Sequence, residues 1–362
     1  MKKTILILFA LPFLCSAQFI AIGSLPPGAT VTVAPFDQLP SNVTRYGYEV
    51  DESGGVVNSV SAFVAPPAGF PITQYWALGT IFDFQRAGDK FTGIVNGKVN
   101  GFTVWDGSGA VVDPFGVPGS WTLDIHEMTL ADGKYYVLGR RDTMESYGYI
   151  RHFAAFVIDS ASKSVLWSWS TKEAEGNPLL SPDSSLALDF NKYHFNSFGF
   201  YDGVAVISAR YQGVYFVDSL SKSVSVERCG CYQHTATMQG DTLTYFSNGA
   251  SGDTSAVVRT VGGVEVWRWS HPMAMYAPFS GSVVVNGRGF LIGWGGAPVA
   301  DTLPDVTLIN RSGLIEWELF IDGGISYRAG WGQSLPLMRD RLKSVRRRED
   351  WWGKYNLLGQ EK

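Results

Sequence analysis

One unit of sequence recurs six times along the chain, and this repeat restricts the possible fold more than any other feature. Each unit contains an apolar strand, a polar turn with Asp or Asn and Gly or Ser, and a second β-rich strand that often contains Trp. The turns follow one another at intervals of roughly 50 residues and begin at Asp51, Asp106, Asp159, Asp218, Arg259 and Asn310. A repeat of this length is typical of propellers and other repeat architectures.

A second set of turns lies between the first, at Ala131-Asp132-Gly133, Tyr201-Asp202-Gly203, Gly240-Asp241 and Asn286-Gly287. Two hairpin turns in a unit of roughly 50 residues give about four strands, which is one propeller blade. The 41 glycines and the low charged fraction of 17% are typical of a β protein with many turns. The sequence therefore predicts an all-β, six-bladed β-propeller over residues 18–335. A β-sandwich has similar turns but does not repeat them at this period.

The repeat stops near residue 336. Apolar residues then follow at helical intervals, at Leu337, Met338, Leu342 and Val345, before a basic run at Arg346, Arg347 and Arg348. This pattern predicts a C-terminal tail over residues 336–362 that contains a short helix packed on the propeller. An interaction tail is the alternative.

The first 17 residues have the form of a signal peptide. Lys2 and Lys3 precede an apolar run that is too short to span a bilayer, and Cys15-Ser16-Ala17 offers a small-residue cleavage site. Lipidation of Cys15 is the alternative. No later segment has 18 consecutive apolar residues, so we predict a periplasmic or secreted protein without a membrane span.

The charge and the cysteines narrow the function classes further. A formal net charge of −4 leaves no basic surface for nucleic acid, and it leaves the oligomeric state open. After cleavage only Cys229 and Cys231 remain, in a Cys-Gly-Cys segment. They form a local disulfide or stay as thiols, or they serve metal binding or redox chemistry close to His234.

Three of the five histidines occupy similar places in successive units. His126, His194 and His234 each lie six to eight residues before an inner turn. A propeller places this part of the unit on its innermost strand, so we expect the three imidazoles to meet at one mouth of the central channel. His152 and His271 do not share this phase, and we expect them to be surface or packing residues.

Three histidines with an open position also form a zinc site, so the neighbouring residues decide the chemistry. Asn196 lies two residues beyond His194 and therefore faces the channel if the strand is regular. Arg210 ends the neighbouring strand of the same hairpin. A fixed guanidinium opposes a dication and favours an oxyanion, so the prediction is an anion site without a metal.

The chain resembles the bacterial arylsulfotransferase family over residues 115–320. The resemblance is carried by the segments DIHEMTLADGKYYVL, HFNSFGFYDGVAVISARYQGVYFVD, YQHTATMQGD, YFSNG, VWRW and GSVVVNGRGFLIGWG. It implies a six-bladed propeller that transfers a sulfuryl group from a phenolic sulfate ester to a phenol, through a sulfated histidine. It implies no cofactor, and no phosphoadenosine phosphosulfate.

The resemblance also implies roles for individual residues. The nucleophile is His234, and His126, His194, Asn196 and Arg210 surround the sulfuryl group. From the chemistry of the reaction we then expect His126 to protonate the departing phenolate and later to deprotonate the acceptor. His194, Asn196 and Arg210 hold the oxygens of the sulfuryl group. Tyr193, Tyr232 and Trp294 either stack on the aryl ring or belong to the core.

Two other functions stay open at the level of sequence. A non-catalytic propeller that binds sulfated or phenolic ligands needs the fold but not an intact His234. A metal-dependent lyase or hydrolase needs the three histidines and a bound metal, and Arg210 argues against it.

Overall fold

A computed structural model describes residues 19–36, 44–63, 81–95, 101–113, 115–145, 148–174, 191–229, 232–249, 253–296, 302–322 and 325–332. The predicted signal peptide (1–17) and the predicted tail (336–362) lie outside this part of the chain. The described residues form 24 strands and no helix. None of them therefore belongs to a helix long and apolar enough to cross a membrane.

The strands in chain order are β1 (Phe19–Gly23), β2 (Val31–Phe36), β3 (Thr44–Val50), β4 (Val56–Phe63), β5 (Ile81–Ala87), β6 (Lys90–Val95), β7 (Gly101–Trp105), β8 (Thr122–Ala131), β9 (Lys134–Glu145), β10 (Gly148–Asp159), β11 (Val165–Ser170), β12 (Phe195–Tyr201), β13 (Val204–Ala209), β14 (Gly213–Asp218), β15 (Val224–Glu227), β16 (Gln233–Gln239), β17 (Thr242–Ser247), β18 (Ala256–Val261), β19 (Val264–Ser270), β20 (Ser282–Val285), β21 (Gly289–Gly293), β22 (Val306–Asn310), β23 (Ile315–Ile321) and β24 (Ile325–Trp331).

These strands form six antiparallel sheets arranged as the blades of a β-propeller, which confirms the predicted fold. Blade 1 consists of β24, β2, β3 and β4, and blade 2 of β5 to β7. Blades 3, 4 and 5 contain β8 to β11, β12 to β15 and β16 to β19, and blade 6 contains β20 to β23 with β1 added. The innermost strands contact one another in succession around the ring.

The two ends of the described chain close the ring. β24 is the innermost strand of blade 1, whose other strands come from the N-terminal part. β1 pairs with β23 from Phe19 opposite Ile321 to Gly23 opposite Trp317, and so adds a fifth strand to blade 6. Blades 1 and 6 therefore each contain strands from both ends, which fixes the ring as one unit.

The six turns that defined the repeat each follow the third strand of a blade. In five of them an Asp or Asn side chain organises the turn. Asp106 is an example, since its Oδ1 accepts hydrogen bonds from Ser108 Oγ at 2.6 Å and from Ala110 N at 3.0 Å. These bonds, with that from the Ser108 hydroxyl the strongest, lower the pKa of Asp106. In blade 5 the turn instead uses Gly262 and Gly263, both with positive φ.

The tryptophans of the repeat join neighbouring blades at these turns. Trp167 Nε1 in blade 3 donates to the Ser219 carbonyl of blade 4 at 3.1 Å. Trp269 in blade 5 does the same to Gly313 of blade 6 at 2.9 Å, and Trp317 of blade 6 to Glu52 of blade 1 at 2.9 Å. The recurring Trp therefore packs apolar surface between blades and hydrogen-bonds the next turn.

Candidate active site

The three histidines lie at the start of three successive innermost strands. His126 is on β8, His194 immediately precedes β12, and His234 is the second residue of β16. Each of these strands has an irregular register beside its histidine. His194 and Thr235 also have φ values of 35° and 51°, in the left-handed region. Such bulges redirect side chains and are common next to active sites.

The strand register refines the predicted equivalence of the histidines. Counted back from the inner hairpins, His126 and His234 hold the same position, and Asn196 holds it in blade 4. His194 corresponds instead to Tyr232, because the Arg210 amide donates to the His194 carbonyl and the Asn248 amide donates to the Tyr232 carbonyl. Blade 4 therefore contributes both an imidazole and an amide, from His194 and Asn196, which are two residues apart in sequence.

The structure brings the predicted histidines together. The rings of His126 and His194 meet edge to face, with centroids 4.9 Å apart. His234 is 2% exposed, and Arg210, His126 and His194 are close enough to disfavour a positive charge on its ring. Burial, followed by the positive charge of Arg210, lowers the pKa of His234 well below its ordinary range. His234 is therefore a neutral imidazole at neutral pH.

His126 has a carboxylate partner that the sequence reading did not identify. Its Nδ1 lies 2.5 Å from Asp124 Oδ1, and Asp124 is 1% exposed. Burial raises the pKa of Asp124, but the charge of His126 and their hydrogen bond outweigh it and hold the pKa below the ordinary value. Asp124 is thus an anion that supports positive charge on the His126 ring. An Asp two residues before a His was the available signal.

His194 has an amide partner. Asn191 Nδ2 lies 2.7 Å from His194 Nδ1. An amide NH₂ only donates, so Nδ1 accepts and the ring hydrogen lies on Nε2. Burial first, and then the charges of His126 and Arg210, lower the pKa of His194 well below its ordinary range. His194 is a neutral ring that offers an N–H donor to the site.

His234 also has an amide partner, but here the amide oxygen faces the ring. Its Nδ1 lies 2.5 Å from Asn248 Oδ1. Asn248 is fully buried, and its Nδ2 donates to the carbonyls of Ala277 at 2.7 Å and Ser280 at 2.8 Å. The sequence reading quoted the YFSNG segment but gave no role to this residue. Asn248 follows β17 as Arg210 follows β13, and this repeat position was the signal.

Arg210 is held between backbone and aromatic rings. Its Nη2 donates to the Pro278 carbonyl at 2.8 Å, and its guanidinium lies 5.3 Å from the Tyr211 ring centroid and 5.4 Å from that of Tyr232. Its Nε is buried and has no hydrogen-bond partner among the described residues. A buried guanidinium N–H without a partner is costly, which favours an anion as its missing acceptor.

Asn196 links blade 4 to blade 5. Its Nδ2 donates to the Gln233 carbonyl at 2.6 Å, directly before His234 in sequence. Its Oδ1 is buried and accepts no hydrogen bond from the part of the chain that the structure describes. Simple strand alternation does not place Asn196, because of the bulge between Phe195 and Ser197. Asn196 therefore lies against the backbone of the residue that precedes His234.

A buried ionic cluster crosses the central channel next to the histidines. Arg328 Nη1 on blade 1 donates to Asp83 Oδ1 at 2.8 Å on blade 2 and to Glu127 Oε2 at 3.1 Å on blade 3. Its Nη2 donates to the Asn196 carbonyl on blade 4, which is the opposite blade of the ring. Burial and the charge of Asp83 raise the pKa of Glu127 to about 7, against the influence of Arg328.

The other sequence candidates divide between the site and the core. Tyr232 contacts Tyr211 and Arg210 at the site, with ring centroids 5.5 Å apart for the two tyrosines. Trp294 is 1% exposed and packs against Phe246, so it belongs to the core. Tyr193, His152 and His271 are also buried packing residues.

Cys229 lies beside the segment that carries the proposed nucleophile. Its Sγ donates to Gln233 Oε1 at 3.1 Å. Gln233 Nε2 in turn donates to the carbonyls of Ala209 at 2.6 Å and Gly213 at 2.7 Å. Cys231 lies outside the described residues, and so does the choice between a disulfide and two thiols that the sequence leaves open.

The described residues contain no group of three or more His, Cys, Asp or Glu side chains arranged to hold a metal ion. The two closest imidazoles use their Nδ1 atoms for Asp124 and Asn191. The polar groups that remain around His234 are a guanidinium, imidazoles and an amide, which together suit an oxyanion.

Neither a family model nor a curated protein sequence matches this chain. Several solved structures are similar to it at low identity and with TM-scores below 0.5. BamB from Moraxella catarrhalis is 15% identical with a TM-score of 0.37, over 81% of this chain and 74% of BamB. TolB from Acinetobacter baumannii is 11% identical with a TM-score of 0.45, over 84% and 67%. A Synechocystis apocarotenoid oxygenase variant is 10% identical with a TM-score of 0.46, over 84% and 81%.

Proposed function

We propose that this protein is an aryl-sulfate sulfotransferase that transfers a sulfuryl group through a sulfated His234. One observation carries the proposal: a buried imidazole of lowered pKa lies in the field of a fixed guanidinium whose Nε has no partner among the described residues. A neutral imidazole is a nucleophile at neutral pH, and a guanidinium N–H binds an anionic oxygen. The sequence resemblance supports the same reaction.

In the first half-reaction His234 attacks the sulfur of the aryl sulfate. The N–S bond forms as the S–O bond to the aryl group breaks, and the electron pair of that bond leaves on the phenolate oxygen. His126, charged with support from Asp124, gives its proton to this oxygen, and the phenol leaves. The products are sulfated His234, neutral His126 and one phenol.

In the second half-reaction the acceptor phenol enters the same site. His126 takes the proton of the phenol as the phenol oxygen attacks sulfur, and the N–S bond breaks with its electron pair returning to His234. The cycle ends with the new aryl sulfate and with both histidines in their starting states. No proton or electron is left over, so the transfer needs no co-reactant beyond the two phenolic substrates.

The polar groups around His234 fit the charge of the transferred group. Negative charge in sulfuryl transfer lies on three equatorial oxygens, as it does in phosphoryl transfer, so catalysis is mostly positioning and electrostatics. Arg210 offers its Nε–H, His194 its Nε2–H and Asn196 its second amide hydrogen. Each such preorganised donor accounts for about 100- to 1000-fold in rate.

Aromatic side chains at the guanidinium suit the aryl part of the substrates. Tyr211 and Tyr232 meet edge to face and both flank Arg210, and the Tyr211 ring also lies 5.5 Å from that of His194. A phenol ring that stacks here lies next to the sulfuryl site. Aromatic pairs add about 0.5–1.5 kcal/mol beyond their buried area, enough to favour aryl over alkyl sulfates.

We place the reaction outside the cytoplasm, on the basis of the predicted signal peptide. Mass spectrometry of the exported protein is expected to find an N-terminal peptide that begins at Gln18, as glutamine or as its cyclised form, pyroglutamate. An uncleaved Met1, or a lipid on Cys15, would contradict this assignment.

The test of the function is turnover of a chromogenic aryl sulfate in the presence of a phenol acceptor. We expect transfer to the phenol to exceed hydrolysis and to survive exhaustive chelation. A matched reaction with an alkyl sulfate donor serves as the control for the aryl site. Activity that is lost on chelation and returns only with added zinc or calcium would sink the proposal and favour a metal-dependent lyase or hydrolase.

A further inference from the structure

We infer that Asn248 is a positioning residue that fixes the tautomer of His234 and so selects Nε2 as the atom that bonds to sulfur. The catalytic part of this inference rests on the proposed function, but the tautomer itself does not. It concerns a residue outside the sequence-predicted site, and it follows from the three hydrogen-bonding groups around one buried side-chain amide.

The orientation of the Asn248 amide is determined by its neighbours. Its NH₂ group lies within hydrogen-bond distance of two carbonyl oxygens, those of Ala277 and Ser280. Carbonyl oxygens only accept, so the nitrogen must face them and Oδ1 must face His234. An inverted amide would put an oxygen against two oxygens, in a site where Asn248 is fully buried. Water cannot compensate for that arrangement there.

The amide orientation determines where the imidazole carries its hydrogen. Oδ1 of Asn248 only accepts, so Nδ1 of His234 must donate across the 2.5 Å contact. Because burial and Arg210 keep this ring neutral, its single N–H is then at Nδ1. The Nε2 atom is left with an unshared electron pair, which is what an attack on sulfur requires.

The backbone holds Asn248 as firmly as its side chain does. Its amide N donates to the Tyr232 carbonyl at 2.6 Å, and its own carbonyl accepts from Ser255 Oγ at 3.0 Å. Ser255 Oγ in turn accepts from the Ala277 amide at 2.8 Å. Asn248 is therefore anchored to the residues that immediately precede β16 and β18 and to the segment before β20, so it does not move with the His234 ring.

A neutral partner suits a nucleophile that must also be a leaving group. After sulfur bonds to Nε2, the ring carries a positive charge as long as its Nδ1 hydrogen stays in place. Asn248 cannot remove this charge, since its amide is neutral and accepts no proton. The cationic adduct keeps a weak N–S bond, which favours discharge to the acceptor. The partner of His126 differs, since its Nδ1 lies against the carboxylate of Asp124.

Nitrogen NMR of the full-length mature protein, labelled with ¹⁵N in its histidines, tests the inference directly. Long-range ¹H–¹⁵N correlations distinguish protonated from unprotonated ring nitrogens. We expect His234 to be neutral at pH 7 with its hydrogen on Nδ1, and the resonance to be assigned by its loss in His234→Gln. A neutral ring with its hydrogen on Nε2, or a cationic ring at pH 7, would overturn the inference without any use of activity.

Variants then test the consequence for catalysis. Asn248→Asp replaces the neutral acceptor with an anion, and we expect the acid limb of the pH profile for kcat/KM to move to higher pH. Asn248→Ala frees the ring, and we expect kcat to fall about 10- to 100-fold with little change in KM. The matched control is Asn310→Asp, which gives the outer turn of blade 6 the residue that four other blades already have.

The outcomes separate the two proposals. An unmoved acid limb in folded Asn248→Asp, or a shift of equal size in Asn310→Asp, contradicts the positioning role. If a variant does not fold, the wild-type tautomer still decides. The expected tautomer in a protein that transfers no sulfuryl group to any phenol refutes the proposed function and leaves the Asn248–His234 pair standing.

Discussion

Each blade has an outer turn after its third strand and a channel end, which is the start of its innermost strand. The outer turns are similar from blade to blade, whereas the channel ends differ. At the outer turns of blades 3 and 4, Asp159 and Asp218 make the same set of contacts to a Ser three residues further on. At the channel the same two blades present His126 with a carboxylate partner and His194 with an amide partner. The turns are interchangeable, and the channel ends are not.

The difference has a physical cause. An outer turn must satisfy its own backbone N–H groups in water, and one Asp or Asn oxygen does that in five of the six blades. A channel end has to satisfy buried groups from neighbouring blades, as Arg328 does across the ring. The contacts of a channel residue therefore depend on its blade. We expect the same type of substitution to reduce activity more at the channel than at an outer turn.

The largest expected effect comes from His234→Gln, which removes the nucleophile. We expect sulfuryl transfer to fall by roughly 1000-fold or more, because the remaining donors bind the group but cannot accept it. The matched control is His271→Gln, also a buried histidine, whose Nε2 pairs with Glu318 at 2.8 Å in blade 6. Steady-state rates of both folded variants check this, and equal losses would show that the effect is structural.

Removal of the fixed cation is expected to have the next largest effect. Arg210→Ala should lower kcat/KM for the aryl sulfate by about 100- to 1000-fold, because the sulfuryl oxygens lose a preorganised donor. Arg210→Lys should recover only part of this, because an ammonium does not reproduce the planar fork of a guanidinium. The same kcat/KM in all three proteins would remove Arg210 from the site.

An Asp→Asn pair of substitutions compares the two regions directly. Asp124→Asn is expected to lower kcat about 10- to 100-fold, because the His126 ring loses the carboxylate that holds its Nδ1 at 2.5 Å. Asp218→Asn keeps the turn oxygen, as Asn310 does in blade 6, and should change neither rate nor melting temperature measurably. Loss of activity in Asp218→Asn would mean that the turns are not interchangeable.

The smallest expected effect is on stability as a function of pH. Unfolded His234 takes up a proton below about pH 6.5, whereas the folded ring stays neutral because its pKa is lowered. The unfolded state therefore binds more protons, and the free energy of unfolding falls as the pH falls below 6.5. The slope is at most about 1.4 kcal/mol per pH unit. His234→Gln should flatten the measured slope by about half that amount at pH 6.5 and by nearly all of it at pH 5.5, and an unchanged slope would mean that the folded ring is charged.

The sequence predicts the fold because the features that determine it are local. The turn at Asp106 and its counterparts mark the third strand of every blade, and the turns at Asp132 and Asp202 mark the innermost hairpins. Such turns can be recognised from a few consecutive residues, without any knowledge of distant contacts. The placement of His126 and His234 on inner strands followed from the same reading.

The partners of the histidines were not predictable in the same way. Asn248 contacts His234 only because β17 returns beside β16, and its amide is oriented by Ala277 and Ser280 from further along the chain. Arg328 reaches Asn196 from 132 residues away in sequence. Nothing local marks such contacts, and the bulges at the inner strands remove the period-two pattern that would have located side chains.

The most direct test of the account is to trap the covalent intermediate. Wild-type protein is pulsed with an aryl sulfate in the absence of acceptor, kept at neutral or alkaline pH, digested and analysed by mass spectrometry. We predict one sulfuryl group on the peptide that contains Gln233, His234 and Thr235, with one phenol released per site, and discharge when a phenol is added. Transfer without any adduct, or an adduct on His126 or His194, would contradict the account.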